Sequence, residues 1–332
     1  MFTHHPARII AAIAVAGLAA GSLAACSTSS SGSGEGSESA PFRLATSTWV
    51  GFGPWYIAEK KGYFDDHGVD VEITNFDDYG AELAAVSSGQ VDGANYATNA
   101  WLQQLSQGVE LDLVMMEDRS TTADAVIGGP GIASLDDLVG KTVAYETGTT
   151  SELLYLAALD AAGIDPEEIT HVELHADQAG SALIAGQVDA AVTYEPYIST
   201  ALAQDGGATV IYSADEIPGI ISDGLVVDPD YIEANPDTVS GMTAAWNDAV
   251  EFLADNPDEG RQIIADALGA QSDDLASAFE GVSYYTAADS AEALTSDFVS
   301  ETIPLIAESM RKAGLIETVP DFESFVSTDF VE

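Results

Sequence analysis

The chain has 332 residues, 46% of them hydrophobic, enough to bury one or two sizeable cores, so composition excludes a disordered chain. Its 55 Asp and Glu against 9 Lys and Arg give a formal charge of -46, which repels nucleic acid and anionic headgroups and excludes both as direct partners. The acids run along the whole chain rather than gathering in a tail, so they read as a solvated skin adapted to salt.

At the start, His4, His5 and Arg8 precede an apolar run over 9–20 that is too short and wrongly flanked for a stable membrane span. Leu23-Ala24-Ala25-Cys26 follows and resembles a bacterial lipobox. Residues 1–25 are therefore expected to be a lipoprotein signal peptide, with lipidation at Cys26, the only cysteine. Residues 26–40, rich in Ser, Gly and Glu, read as a flexible tether. The folded part is expected on the extracytoplasmic face of the cell membrane, lipid-anchored, and without a disulfide.

Residues 42–49 alternate as a strand and end in small polar residues and Trp49. Gly51-Phe52-Gly53-Pro54 then turns into a helix carrying Trp55 and Tyr56, with Pro54 in the first turn where no amide donor is lost. Residues 69–73 alternate as a half-buried strand. A frame then appears twice: Gly89-Gln90-Val91-Asp92-Gly93-Ala94 and Gly186-Gln187-Val188-Asp189-Ala190-Ala191, each after an apolar, Ala-rich segment. In each copy the Gly stops a helix and the apolar run after Asp is a buried strand. Two such units predict two α/β lobes built alike, and ligands gather at the carboxyl ends of such strands. That places Thr98 and Asn99 in one lobe and Tyr194 and Glu195 in the other at the cleft.

Chain crossings between the lobes are expected near 125–131, a strand running into a Gly/Pro hinge, and near 222–227. The lobes then comprise 41–126 with 223–332, and 127–222. Within the second lobe, Thr147-Gly148-Thr149-Thr150-Ser151 leads into a helix over 152–161, where Thr149 and Ser151 offer hydroxyls to a ligand or cap the helix. Helical spacing marks 236–253, 259–268 and 288–313.

Trp49-Val50-Gly51-Phe52-Gly53-Pro54, Ala58-Glu59-Lys60-Lys61-Gly62-Tyr63-Phe64, His67-Gly68-Val69-Asp70-Val71-Glu72, Ser88-Gly89-Gln90-Val91-Asp92 and Thr193-Tyr194-Glu195-Pro196-Tyr197 occur in order. Together they resemble the substrate-binding proteins of ABC importers in the nitrate/sulfonate/taurine group, which includes pyrimidine-precursor binders related to thiamine-precursor synthases. The resemblance implies a two-lobe type II periplasmic-binding fold of class α/β, with mixed, mainly parallel sheets and a cleft between lobes. It implies a small-molecule solute and ABC permease and ATPase subunits as partners. A monomer is expected.

No nucleophile elbow, Walker loop or dinucleotide fingerprint occurs, so an enzyme and a cofactor are not expected. A synthase of the related kind would rely on a Cys-rich motif, which a chain with Cys26 alone lacks. His171-Val172-Glu173-Leu174-His175 could share one strand face, but ordinary alternation explains it and no metal is expected. An oxyanion would want Arg or Lys, and only Arg119 falls near an expected cleft loop, whereas Asp118, Asp124, Asp177, Glu195 and Asp223 fall at strand ends or crossings. With Trp49, Tyr56, Tyr145 and Tyr194 as flat walls, these acids suit a cationic or donor-rich nitrogen compound, with Glu195 accepting its hydrogen bonds. The alternative is a small oxyanion such as an aliphatic sulfonate, taurine or nitrate; a receptor-coupled sensor is a third reading.

Overall fold

The computed structural model describes residues 40–76, 79–204 and 206–331; the signal peptide, Cys26 and nearly all of the tether expected from the sequence lie outside the described residues. Eleven strands occur among the described residues: β1 (Phe42–Ser47), β2 (Val71–Phe76), β3 (Gly93–Ala97), β4 (Asp112–Ser120), β5 (Asp124–Gly128), β6 (Thr142–Tyr145), β7 (Thr170–Glu173), β8 (Ala190–Tyr194), β9 (Thr209–Ser213), β10 (Ser222–Val227) and β11 (Val282–Tyr284). They form two sheets, ordered β11-β4-β10-β3-β1-β2 and β7-β6-β8-β5-β9.

Both sheets are built to one plan, and the repeated frame lies at the centre of each. Gly89 and Gly186 take φ of 68 and 66°, left-handed values that a side chain would strain. They end the helices Tyr79–Ser87 and Ala176–Ile184 and release the chain into β3 and β8. The aspartate of each frame then fastens its strand to a parallel neighbour. Asp92 Oδ2 accepts the Arg43 amide at 2.8 Å, and Asp189 Oδ2 accepts the Thr142 amide at 2.9 Å. Each also binds that neighbour's side chain, Arg43 Nη2 at 2.6 Å and Thr142 Oγ1 at 2.8 Å. The repeated acid is thus a sheet fastener, set at the end of the strand opposite the cleft.

The parallel pairs are β1 with β2 and β3, and β6 with β7 and β8. The antiparallel pairs are β10 with β3 and β4, β11 with β4, and β5 with β8 and β9. The sheets are therefore mixed without being mainly parallel. The reason is the pair of strands that enter from the other lobe: β5 follows β4 from the first sheet, β10 follows β9 from the second, and each runs against both its neighbours. The crossings also shift from their expected places. The first occupies 121–123, because β5 belongs to the second sheet from Asp124 onward, and the second occupies 214–221. The Gly128 to Gly131 turn lies at the far end of β5.

The first lobe carries the larger core, centred on three tryptophans. Trp55, Trp101 and Trp246 are fully buried, and each indole N–H has an acceptor, as burial of so large a polar-tipped ring requires. Trp101 donates to the Leu111 carbonyl at 2.8 Å and Trp246 to the Tyr285 carbonyl at 3.0 Å. Trp246 sits on the helix Pro236–Asp255, whose apolar stripe also buries Val250 and Leu253. The single helix expected over 288–313 is instead broken into Ala287–Thr295 and Ile303–Ala313. Ser296 leaves helical geometry, and a π-helical turn, Phe298–Thr302, then runs directly into the second piece, where Pro304 lacks an N–H to continue the ladder.

Candidate functional site

A cleft of about 530 Å³ opens where the carboxyl ends of β1, β3, β6 and β8 face one another. Because β5 and β10 run antiparallel, they offer their first residues there, and those residues include Asp124 and Asp223. One wall comes from the first lobe: the 47–49 end of β1, Phe52, Phe76, Glu82, Asn95 and Asn99. The other comes from the second lobe: Glu146, residues 149–151, 175–178, Tyr194 and Tyr197. The two walls meet where Trp49 stands edge-on to Tyr194 with ring centroids 6.0 Å apart; Tyr197 meets Tyr194 at 5.4 Å.

Eight of the side chains singled out from the sequence line this cleft: Trp49, Asn99, Asp124, Thr149, Ser151, Asp177, Tyr194 and Asp223. Thr149 caps its helix, accepting the Ser151 amide at 3.3 Å, and also lines the cavity. Four others are placed elsewhere. Tyr56 is turned by its helix toward β2, where its hydroxyl accepts a hydrogen bond from Asn75 at 2.9 Å. Thr98 is buried, donating to the Ser222 carbonyl at 2.9 Å and so joining the start of the helix Thr98–Ser106 to β10. Asp118 lies behind Trp49, whose indole N–H donates to it at 3.3 Å. Glu195 does not reach the cleft: its carboxylate accepts the Ser199 amide at 3.0 Å and hydroxyl at 2.9 Å, capping the following helix.

Arg119 is also away from the cleft. It is exposed at the end of β4, beside a second cavity lined by Pro218, Gly219 and Asp289. The histidines do not converge: His171 stacks on Tyr145 with centroids 3.8 Å apart, while His175 bonds Glu146 at 2.8 Å. Among the described residues no group of three or more potential ligands is placed to hold a metal ion.

The electrostatics of the cleft are one-sided. Among the described residues its lining includes Glu82, Asp124, Glu146, Asp177 and Asp223 and no Arg or Lys. Three of these carboxyls are buried at 4% exposure or less: Glu82, Asp124 and Asp223. Burial pushes Glu82 up to about 8, with Asp223 adding repulsion, and pushes Asp124 up to about 7. Asp223 stands opposite Asp118 in the β10–β4 register, and burial with that repulsion drives it well above the usual carboxylate range. Asp118 is pushed up to about 8 by burial and by Glu117 next to it. Glu117 is raised too, although it accepts the Trp55 N–H at 2.9 Å.

A family model described as NMT1/THI5 like matches residues 49–260. The chain belongs to the NMT1/THI5-like family. It is 25% identical over 292 residues to the taurine-binding periplasmic protein of Escherichia coli (strain K12), covering 84% of this chain and 89% of that one. It is 27% identical over 313 residues to the riboflavin-binding protein RibY of Chloroflexus aurantiacus, covering 85% and 83%. Its fold matches the crystal structure of the periplasmic aliphatic sulphonate binding protein SsuA from Escherichia coli with a TM-score of 0.75 at 20% identity, over 87% of this chain and 92% of that one. The two-lobe periplasmic-binding fold expected from the motifs is therefore the fold of this family member.

Sequence reading missed Glu82, Glu146, Tyr197 and the Phe52 and Phe76 walls. Glu82 sits in the first turn of an Ala-rich helix, where an acid ordinarily complements the helix dipole, so its sequence position carried no signal of a site.

Proposed function

We propose that this protein is an extracytoplasmic solute-binding protein that captures a small, nitrogen-containing polar molecule and delivers it to the permease and ATPase of an ABC importer. The observation that carries the choice of ligand is the cleft lining, with five carboxyls, three of them buried, and no Arg or Lys among the described residues. A buried carboxyl lined up with others is costly when ionised and unpaired, and a cationic or donor-rich ligand relieves that cost. The aromatic rings of Trp49, Phe52, Phe76, Tyr194 and Tyr197 supply the flat apolar walls. Attachment to the membrane through a lipid on Cys26 belongs to the same reading, supported by the lipobox-like run.

The small oxyanion remains the second reading, supported by the taurine and sulphonate relatives and by the hydroxyls of residues 149–151 at a helix start. Against it, the carboxylate of Glu152 already takes the Gly148 amide at 2.8 Å, bringing the protein's own negative charge to that helix end. Calorimetry against benzamidine, 2-aminopyrimidine, taurine and ethanesulfonate separates the two. Binding of the nitrogen compounds is expected, and tight binding of ethanesulfonate with none of them would refute the reading.

A further inference from the structure

Glu82 is a buried cleft carboxyl with an unpaired oxygen, as is Asp124, whose Oδ2 also lacks a partner. Glu82 is 2% exposed, it lines the cleft, and its Oε1 has no partner. Among the described residues its surroundings offer no Arg or Lys free to pair with it. The helix Tyr79–Ser87 packs on β1 and β2, whose charged residues are Arg43, fixed to Asp92, and Glu72, exposed on the sheet edge. The helix Thr98–Ser106, touched through Ser87 and Gln104, has no charged residue. Across the cavity stand Asp124, Glu146, Asp177, Asp223 and the rings of Tyr96, Tyr194 and Tyr197, with His175 at the rim held by Glu146. Among the described lining residues the one basic group is thus His175, already paired with Glu146, and burial holds the Glu82 proton on at neutral pH.

We infer that Glu82 is the residue that selects the ligand, accepting N–H donors from a protonated primary amine, amidine or guanidine and releasing its own proton to solvent as that cation enters. The inference rests on the nitrogenous reading of the cleft and sharpens it. Aromatic walls alone would take a quaternary ammonium equally well. A quaternary ammonium has no N–H, so it would leave the ionised Glu82 buried without a hydrogen bond, the costly outcome in a closed site. A primary ammonium or amidinium supplies the donors that Oε1 lacks. Charge is conserved in the exchange: the cation enters, the carboxyl becomes a carboxylate, and one proton leaves for the buffer.

The test is calorimetry on the full-length protein in detergent at pH 7, in two buffers of different ionisation enthalpy, with benzylamine, benzamidine and benzyltrimethylammonium. Benzylamine and benzamidine should bind with release of on the order of one proton each, and benzyltrimethylammonium should bind at least about 10-fold more weakly. E82Q should weaken the two N–H ligands by roughly 10- to 100-fold and abolish proton release. E82D, which keeps the carboxyl, should retain release and so guard against a folding defect in E82Q. Equal affinity for benzyltrimethylammonium, or unchanged proton release in E82Q, would overturn the assignment of Glu82 while leaving the nitrogenous cleft intact. Failure of all three cations to bind while ethanesulfonate binds would instead overturn the reading of the cleft itself.

Discussion

Replacing Glu82 by Gln should change how stability depends on pH before any ligand is added. The carboxyl ionises near 4.5 in the unfolded chain and near 8 in the folded one. Between those values the folded protein holds a proton that the unfolded chain has lost, so stability falls as pH rises. The full stability is present below about 4.5, declines by about 1.4 kcal/mol per pH unit through the window and levels off above about 8, an overall loss of roughly 4–5 kcal/mol from this one group. Asp118, Asp124 and Asp223 act in the same direction, and so does repulsion within a chain of formal charge -46, so the wild-type slope is not the measure. The measure is the difference between wild type and E82Q in urea unfolding at pH 5, 6, 7 and 8 and fixed ionic strength. E82Q should close most of the gap between pH 5 and pH 8 that Glu82 contributes and be the more stable protein at pH 8. Removing Glu82 also eases Asp223, which shifts the remaining slope in the same sense. Parallel curves for the two proteins would refute the reasoning, because they would mean that Glu82 is ionised in the folded cleft at no cost.

Gly51→Ala should disturb the cleft wall, because a Cβ there would stand 2.2 Å from both Asp118 Oδ2 and Trp49 Nε1. A cost of about 1–3 kcal/mol in urea unfolding is expected, with Trp49 displaced and affinity for benzamidine reduced; unchanged affinity would show that the Trp49 position is not set by this turn. Asp189→Asn should cost about 1–3 kcal/mol at neutral pH by weakening two hydrogen bonds to Thr142. Those bonds hold the Asp189 carboxyl below its usual range, so the loss relative to wild type should shrink as pH falls through that group's folded ionisation, as followed by unfolding at pH 7 and pH 3. The midpoint of thermal unfolding should rise from low to molar salt as the surface acids are screened; a midpoint that stays level would remove the salt-adapted reading.

The architecture was legible because it repeats. Gly89 and Gly186, with Asp92 and Asp189 three residues on, perform one local task twice: a left-handed stop, then a carboxylate fastened to the amide of a neighbouring parallel strand. Local tasks of this kind are written in local spacing, and a repeat of them places two strands, their carboxyl ends and hence a cleft. The course of β5 and β10 was less legible, since a strand's partners are chosen by the sheet it enters. A Gly/Pro pair such as Gly129-Pro130 marks a turn without saying between which sheets.

The acids show where local spacing stops being informative. With 55 of them in 332 residues, an Asp or Glu at a strand end is the common case, and only burial separates a site from a solvated face. Glu195 follows a buried strand and precedes Pro196, yet the next helix offers it the amide and hydroxyl of Ser199 one turn on, and a carboxylate with two donors in reach has no cause to turn to the cleft. Glu82 is the converse. In the first turn of a helix it has every local reason to face solvent, but that helix lies over the ends of β1 and β2 with its first turn against the cavity, and the side chain is enclosed. A chain that covers itself in acids for solubility has no difficulty keeping such groups hydrated; one that encloses three of them at a cleft with no Arg or Lys among its described lining residues makes their ionisation costly and raises their pKa values.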